Sequence, residues 1–543
     1  MRLDRASLVR WAAGFVLLLP VIALYACEYL GAKDATFTGF IQYDQPYYMA
    51  DARAFFTGGF HLLYGNPYSP DPDTPRIYFQ LHLFVLGLIQ KITGCDPGVL
   101  YVVSGFFAGL VCVRVAIALY EQVAGLRTVA QWLGLVLFLW GGGVIALLGL
   151  AYQIAHGGDF HATVTGLFRF DPADGWWFLN LGRNLVYPVE AYYHALALGA
   201  VLMAMRGNFR GMLWLAFALS LSHPFTGFQF LLILFAWSAW EMGVAKNRAI
   251  PRAIPAMLLC LLAFHLGYNL VLLNLFAEHL VLYIQWSIAW SESAVTSIAA
   301  DLLVGLLALW ALVRSGWSLF ATPANRLLGI WFLVSLGLVH HDLVAPPRQP
   351  IHFAHGYTWI PLFLLGVGPL IELLDYCTTR LGEIGRAGAL GGVFLLGLSD
   401  NLAWFGLHGA MALAPRLGID WIGEDGFRLT VADNQLLTWL NERPEPHDEL
   451  LVTPDRDVTL VYLAMTYTDY RAWYSHYVVT PLINQRKREV AEFFQSGKIP
   501  AGWRGKTVFL ILPKKEGTEF SMETSLPLAY ANQTFDIRVM QIP

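Results

Sequence analysis

From residue 11 to residue 410 the chain is a succession of apolar segments with few charges between them. No motif limits the fold as tightly. About 20 apolar residues cross the roughly 30 Å hydrocarbon core of a bilayer as a helix, and shorter segments serve if broken or re-entrant. The candidate spans are 11–29, 78–93, 98–119, 129–141, 144–155, 188–204, 211–222, 225–242, 253–275, 297–313, 327–340, 352–375 and 388–410, thirteen in all. Around Gly141-Gly142-Gly143 two readings stand: a tight turn between two segments, or the middle of one helix. The N-terminus has the basic flank of a signal peptide but no clear small-x-small cleavage site, so 11–29 reads as a retained first span.

Composition excludes other classes. The chain is 56% apolar and 14% charged, against about 45–50% and about 25% in soluble domains. That is too little charge to cover a surface in water, and too much apolar content for disorder. A net charge of −4 and the lack of a basic stripe exclude a nucleic-acid binder. Residues 411–543 hold 14 Lys+Arg and 17 Asp+Glu, against 43 charged residues in the first 410. The expected organisation is therefore a membrane block, 1–410, and a water-soluble domain, 411–543. All five cysteines lie in the apolar block without a CxxC and read as small packing residues. In the tail, Gln435–Glu442, Val458–Met465 and Thr480–Gln495 read as helices. Glu449–Thr453, Val508–Leu512 and Phe535–Ile542 read as extended. Together they predict a small α/β layer domain.

Basic residues set the expected orientation. Arg2, Arg5 and Arg10, then Arg206 and Arg210, Lys246, Arg248 and Arg252, Arg314 and Arg326, and Arg380 and Arg386 fall on one face if there are thirteen spans. That face is the cytoplasm. The opposite face receives 30–77, 156–187, the 222–225 turn, 276–296, 340–350 and the tail.

The loop 30–77 carries the most chemistry. It contains Tyr43-Asp44-Gln45-Pro46-Tyr47-Tyr48-Met49-Ala50-Asp51-Ala52-Arg53. Pro46 can start a helix, and Tyr48, Asp51, Ala52 and Phe55 share helical spacing, as in an amphipathic helix lying on a membrane. Asp44 at its N-terminus has two readings, a helix cap or a general base for an incoming hydroxyl or amine. Asp51 reads as a structural partner of Arg53 or of the loop.

An acidic residue after the first span, then Tyr-Tyr and an Ala-x-Ala-Arg helix, resembles the first loop of GT-C class glycosyltransferases. Protein O-mannosyltransferases and lipid A aminoarabinose transferases are the comparison. The resemblance implies a polytopic helical membrane protein with an extracytoplasmic C-terminal α/β domain. It also implies a sugar donor on a polyprenyl-phosphate carrier, inversion at the anomeric carbon, and Asp44 as base. The position after the aspartate, acidic in that class, is Gln45 here. Pro346-Pro347-Arg348-Gln349-Pro350-Ile351-His352-Phe353 is similar to the late GT-C loop in which a basic residue meets the carrier phosphate. Arg348 takes that position with His352 nearby. Tail segments Trp439-Leu440, Trp473-Tyr474-Ser475-His476 with Thr480-Pro481, Arg486 to Phe494, and Tyr530-Ala531-Asn532 resemble the outer domain of uncharacterised bacterial members.

Other outer-face residues fit roles in such a site. Arg169, Arg183, Asn184 and Glu190 with Trp176-Trp177 suit stacking a sugar and holding a phosphate, or packing a loop on the bilayer. Arg183 joins Arg348 and His352 as a donor-phosphate candidate. Tyr47, Tyr48, Trp176, Trp177 and His223 are acceptor or sugar candidates. His223 breaks an apolar run, which fits a site or a helix cap. No cofactor is required. A divalent metal is the lesser alternative, with His340, His341, Asp342, His352 and His355 as its ligands. Glu278, His279, Trp286, Trp290 and Glu292 read as an interfacial amphipathic stretch.

The expectation is an enzyme of the bacterial inner membrane. It moves a sugar from a polyprenyl-phosphate carrier to a glycan, lipid or protein acceptor on the outer face. A flippase for a lipid-linked saccharide fits the broken helices and histidines too, but no inverted repeat is present and a carrier has little need of the outer domain. An assembly scaffold is the third reading.

Overall fold

The structure, a computed structural model, describes residues 5–285, 291–419, 421, 426–443, 449–454, 459–514 and 526–543. Each of the thirteen apolar segments carries helix. Among the described residues five helices are long and apolar enough to cross a membrane: Pro97–Ala124, Pro224–Gly243, Ala253–Leu275, Ala294–Phe320 and Glu383–Leu417. Three bent pairs raise the number to as many as eight if each pair is one span. Leu81–Thr93, Phe209–Ser220 and Pro323–Val339 are shorter apolar helices.

The chain forms two compact units that do not follow the change in charge at residue 410. One comprises 1–27, 103–268 and 288–424, and the other 28–102, 269–287 and 425–543.

In the first unit the polar breaks are satisfied from inside. Helices Val129–Trp140 and Ile145–Ala155 meet at Gly141–Val144 and bend by 64°. The Gly142 N–H donates to Gly397 O (2.9 Å) and the Val144 N–H to Ala299 O (2.8 Å). A Cβ on Gly143 would land on the Ala299 carbonyl, so only glycine permits this approach. Two polar residues of the long helix Glu383–Leu417 complete the break. Asp400 Oδ1 accepts the Ala146 N–H at 2.8 Å, and Asn401 Nδ2 donates to Trp140 O at 2.6 Å. Apolar surroundings offer no water to do this.

In the second unit the first loop and the tail fold together. Helix Gln45–Ala54 packs against Leu81–Thr93 and Thr459–Tyr467. Gly87 makes the first contact close, since a Cβ there would land on the Ala52 carbonyl. Pro46, Met49, Ala50, Asp51 and Ala52 are buried. This corrects the expectation of a helix lying on a membrane: its apolar face is taken up by protein.

The tail's sheet has the order Arg471–Ala472, Glu449–Val452, Thr507–Pro513, Phe535–Gln541, Leu528–Ala531. Glu449–Val452 pairs in parallel with Arg471–Ala472 and Thr507–Pro513, and the remaining pairs are antiparallel. Val508 to Leu512 are all buried, which suits an apolar, β-branched central strand covered on both faces. Leu450, Leu510, Phe493, Trp503 and Met540 form the core. Helices Val431–Asn441, Thr459–Tyr467 and Ile483–Ser496 match the expected ones. The last starts at Ile483 rather than Thr480, because Leu482 turns left-handed before it (φ 55°). Val458, the expected start of the second, lies outside the described residues.

Asn401→Leu keeps the size of this side chain and leaves Trp140 O without its donor. It should lower stability by about 1–3 kcal/mol, read as a lower Tm in detergent. An unchanged Tm would contradict this account of the break.

Candidate functional site

In the second unit the turn before helix Gln45–Ala54 is fixed by two glutamines. Gln42 Oε1 accepts the Asp44 N–H (2.7 Å) and Gln45 Oε1 accepts the Ile41 N–H (2.8 Å). Gln45 is therefore a buried structural side chain. Helix Thr459–Tyr467 docks on the same turn: Tyr462 Oη donates to Tyr43 O, and Thr466 Oγ1 to Pro46 O (2.9 Å). Asp44 makes no side-chain cap to its helix, so the cap reading does not describe it. Its Oδ1 instead meets His476 Nε2 at 3.0 Å. The Asp44 side chain is 38% exposed and that of His476 2%. Among the described residues Oδ2 accepts no hydrogen bond.

Tyrosines surround the pair. Ring centroids of Tyr43, Tyr47, Tyr68, Tyr462 and Tyr477 lie 4.6, 5.7, 5.7, 5.4 and 5.5 Å from that of His476. Burial and the nearby Asp44 charge push the Tyr43 phenol up to about 12, so it stays neutral. Tyr48 contacts Tyr47 at 4.9 Å. The result is a part-open carboxylate in an aromatic setting. Such a carboxylate can accept a proton from a bound hydroxyl or amine, and the rings can stack on a carbohydrate.

The first unit holds a second cluster. Trp177 Nε1 donates to Ile351 O (2.6 Å), and its ring lies 5.0 Å from His352 and 5.2 Å from His355. His352 stacks on Phe225 (4.5 Å), and His223 lies 6.5 Å from it. Thus Trp177, His223 and His352, three of the expected site residues, come together. His223 is also a cap, its Nδ1 accepting the Thr226 N–H (3.2 Å). Buried Glu190 approaches His194 (3.7 Å) and His355 (3.8 Å). Gln349 (φ 46°) and His355 (φ 32°) hold left-handed backbone on either side of His352, a strain often kept at functional sites. Arg348 is exposed, and its N–H donates to His341 Nε2 (2.9 Å).

Several expectations need correction. Arg183 is not at an open phosphate site. Its side chain is fully buried, paired with Asp171 at 3.0 Å and bonded to Gly175 O. Trp176 lies apart from Trp177's cluster, packed on Trp404 (5.2 Å) and His408 (4.6 Å). Arg169 covers the Tyr152 ring at 3.7 Å, and Asn184 bonds the carbonyls of Phe178, Asn180 and His355. Asp51 is a partner of the loop, one of its two expected roles, accepting from Tyr64 Oη (3.0 Å), while Arg53 pairs with Asp469 instead (2.9 Å). Among the described residues no group of three or more His, Cys, Asp or Glu is placed to hold a metal ion. His340 meets Ser297, and His341 uses both ring nitrogens on Leu338 and Arg348 backbone. Glu278 and His279, on helix Ala277–Gln285, bond to Thr74 and Tyr78. Trp286 and Trp290 lie outside the described residues.

His476, Tyr43, Tyr68, Tyr462 and Tyr477 were not expected at the site. The Trp-Tyr-Ser-His segment was visible, but nothing in the sequence ties it to Asp44.

No protein-family model and no curated protein matches the chain. Among solved structures it is similar to ArnT of Cupriavidus metallidurans bound to undecaprenyl phosphate. The identity is 13% and the TM-score 0.47, over 97% of this chain and 98% of that one. It is also similar to the oligosaccharyltransferase of Archaeoglobus fulgidus tethered with an acceptor peptide, at 12% identity and a TM-score of 0.39. That match spans 86% of this chain and 64% of that one. Both are GT-C glycosyltransferases. At these scores the functional reading rests on the residues and their geometry.

Burial raises the Asp51 carboxyl from its ordinary 3.8 to about 8. Between those values the folded chain holds a proton that the unfolded chain has lost, so stability falls as pH rises through that window. Asp51→Asn keeps an acceptor for Tyr64 and should flatten the fall in Tm between pH 5 and pH 8. An equal fall in the variant would contradict the protonated state.

Proposed function

We propose that the chain is an inverting membrane glycosyltransferase of the GT-C type. It takes a sugar from a polyprenyl-phosphate carrier and gives it to a glycan, lipid or protein acceptor. In this proposal the thirteen apolar segments place the basic residues in the cytoplasm and the tail outside, at the bacterial inner membrane. The observation that carries the reading is Asp44: it caps nothing, one oxygen is held by His476, and the other is open among tyrosines.

The acceptor's O–H or N–H proton passes to Asp44 Oδ2 as its lone pair attacks the anomeric carbon. The bond from that carbon to the carrier phosphate breaks, and the electron pair leaves on the phosphate. No covalent enzyme intermediate forms. The developing phosphate charge needs a cation, the role assigned to Arg348 with His352. Tyr47, Tyr48, Trp177 and His223 are the assigned sugar or acceptor contacts. Arg183 and Trp176 are left out, and no cofactor is required.

The test uses the glycolipid fraction of host membranes grown on tritiated sugars as donor, with those membranes as acceptor. Asp44→Asn should turn over about 10²–10⁴-fold more slowly and still copurify with the lipid-linked sugar seen on the wild type by mass spectrometry. Arg348→Ala should lose the bound lipid while keeping the wild-type Tm. Wild-type turnover in Asp44→Asn would overturn Asp44 as the base. No transfer of label by the wild type, with lipid-linked sugar still bound, would overturn the proposal and favour the flippase reading.

A further inference from the structure

The tail's His476 faces Asp44, and its hydrogen bonds fix its own chemical form. The Val478 N–H donates to His476 Nδ1 at 3.1 Å. That nitrogen must therefore offer a lone pair, so the proton of the neutral ring sits on Nε2. Nε2 lies 3.0 Å from Asp44 Oδ1, which can only accept. Direction and tautomer thus follow from one backbone contact on the far side of the ring.

The turn that carries this contact is held from three sides. The Thr480 N–H donates to His476 O (3.0 Å), and the Ser475 N–H to Thr480 Oγ1 (3.3 Å). Asn66 Nδ2 donates to Val479 O (2.8 Å). Gln285 Nε2 reaches the carbonyls of Tyr477, Val478 and Thr480 at 3.2–3.3 Å. The Tyr477 N–H donates to Tyr43 Oη (3.1 Å), tying the turn to the residue before Asp44. The five tyrosine rings leave the imidazole little freedom to rotate.

We infer that His476 is a positioning residue, a neutral Nε2–H donor that holds Asp44 Oδ1 so that Oδ2 stays presented to the acceptor. This rests on the reading of Asp44 as the base. A carboxylate on a short side chain rotates about two bonds, and a part-exposed one samples rotamers that point away from substrate. One fixed donor removes that freedom, and in general a misplacement of about 1 Å costs about 10²-fold in rate. His476 reaches neither donor nor acceptor in this role, so its loss acts on turnover and not on binding. Glutamine places an amide N–H near the Nε2 position and can replace it. Phenylalanine fills the ring space and cannot.

The test uses the full-length protein in detergent, with the same tritiated host-membrane glycolipids as donor. His476→Phe should lower kcat about 10²-fold with the donor KM unchanged, and His476→Gln should stay within about threefold of wild type. Equal losses in both variants, or a loss carried by KM, would overturn the inference. Slow turnover in Asp44→Asn beside wild-type turnover in His476→Phe would overturn it while the reading of Asp44 stands. Wild-type turnover in Asp44→Asn would overturn both. One measurement needs neither activity nor a variant fold: ¹⁵N NMR of histidine-labelled wild-type protein. An Nε2–H tautomer at His476 is expected, and an Nδ1–H tautomer or an imidazolium there would overturn the inference.

Discussion

A chain this poor in charge must satisfy its polar groups from within. Wherever an apolar helix breaks, the freed N–H and C=O groups need partners that water does not supply. The break at Gly141–Val144 finds them in Ala299, Gly397, Asp400 and Asn401. The stretch around His352 finds them in Trp177, Asn184 and Gln229. The polar side chains at these two places hold the backbone, and Arg183, paired with Asp171, is likewise buried in the protein. What remains for chemistry are groups whose partners leave part of them open.

Asp44 is such a group in the second unit. Its turn is fixed by Gln42 and Gln45, its helix is packed by Thr459–Tyr467, and its carboxylate is oriented from the tail by His476. The tail is thereby part of the site's construction. It supplies His476, Tyr462 and Tyr477, while the first loop supplies Asp44, Tyr43, Tyr47 and Tyr68.

Much of this was legible in the sequence where the signal is local. Apolar runs mark the helices, and the β-branched run at Val508–Leu512 marks the central strand. Pro46 marks the start of the helix that follows Asp44. The rest depends on contacts between distant residues. Asp44 and His476 are 432 positions apart, and no spacing announces their meeting. Arg183 reads as a phosphate ligand because a sequence shows the charge and hides the buried Asp171 beside it. The helix Gln45–Ala54 reads as a membrane-surface helix because its apolar face is visible before the protein that covers it. Arg471–Ala472, only two residues long, is too short to carry a period.

The central claim is direct displacement of a carrier phosphate by an acceptor that Asp44 deprotonates. The anomeric configuration of the transferred sugar tests it most directly. ¹H NMR of the product, compared with the donor from the same glycolipid fraction, should show opposite configurations at the anomeric carbon. The same configuration in both would exclude a single displacement from the face opposite the phosphate and would contradict the account.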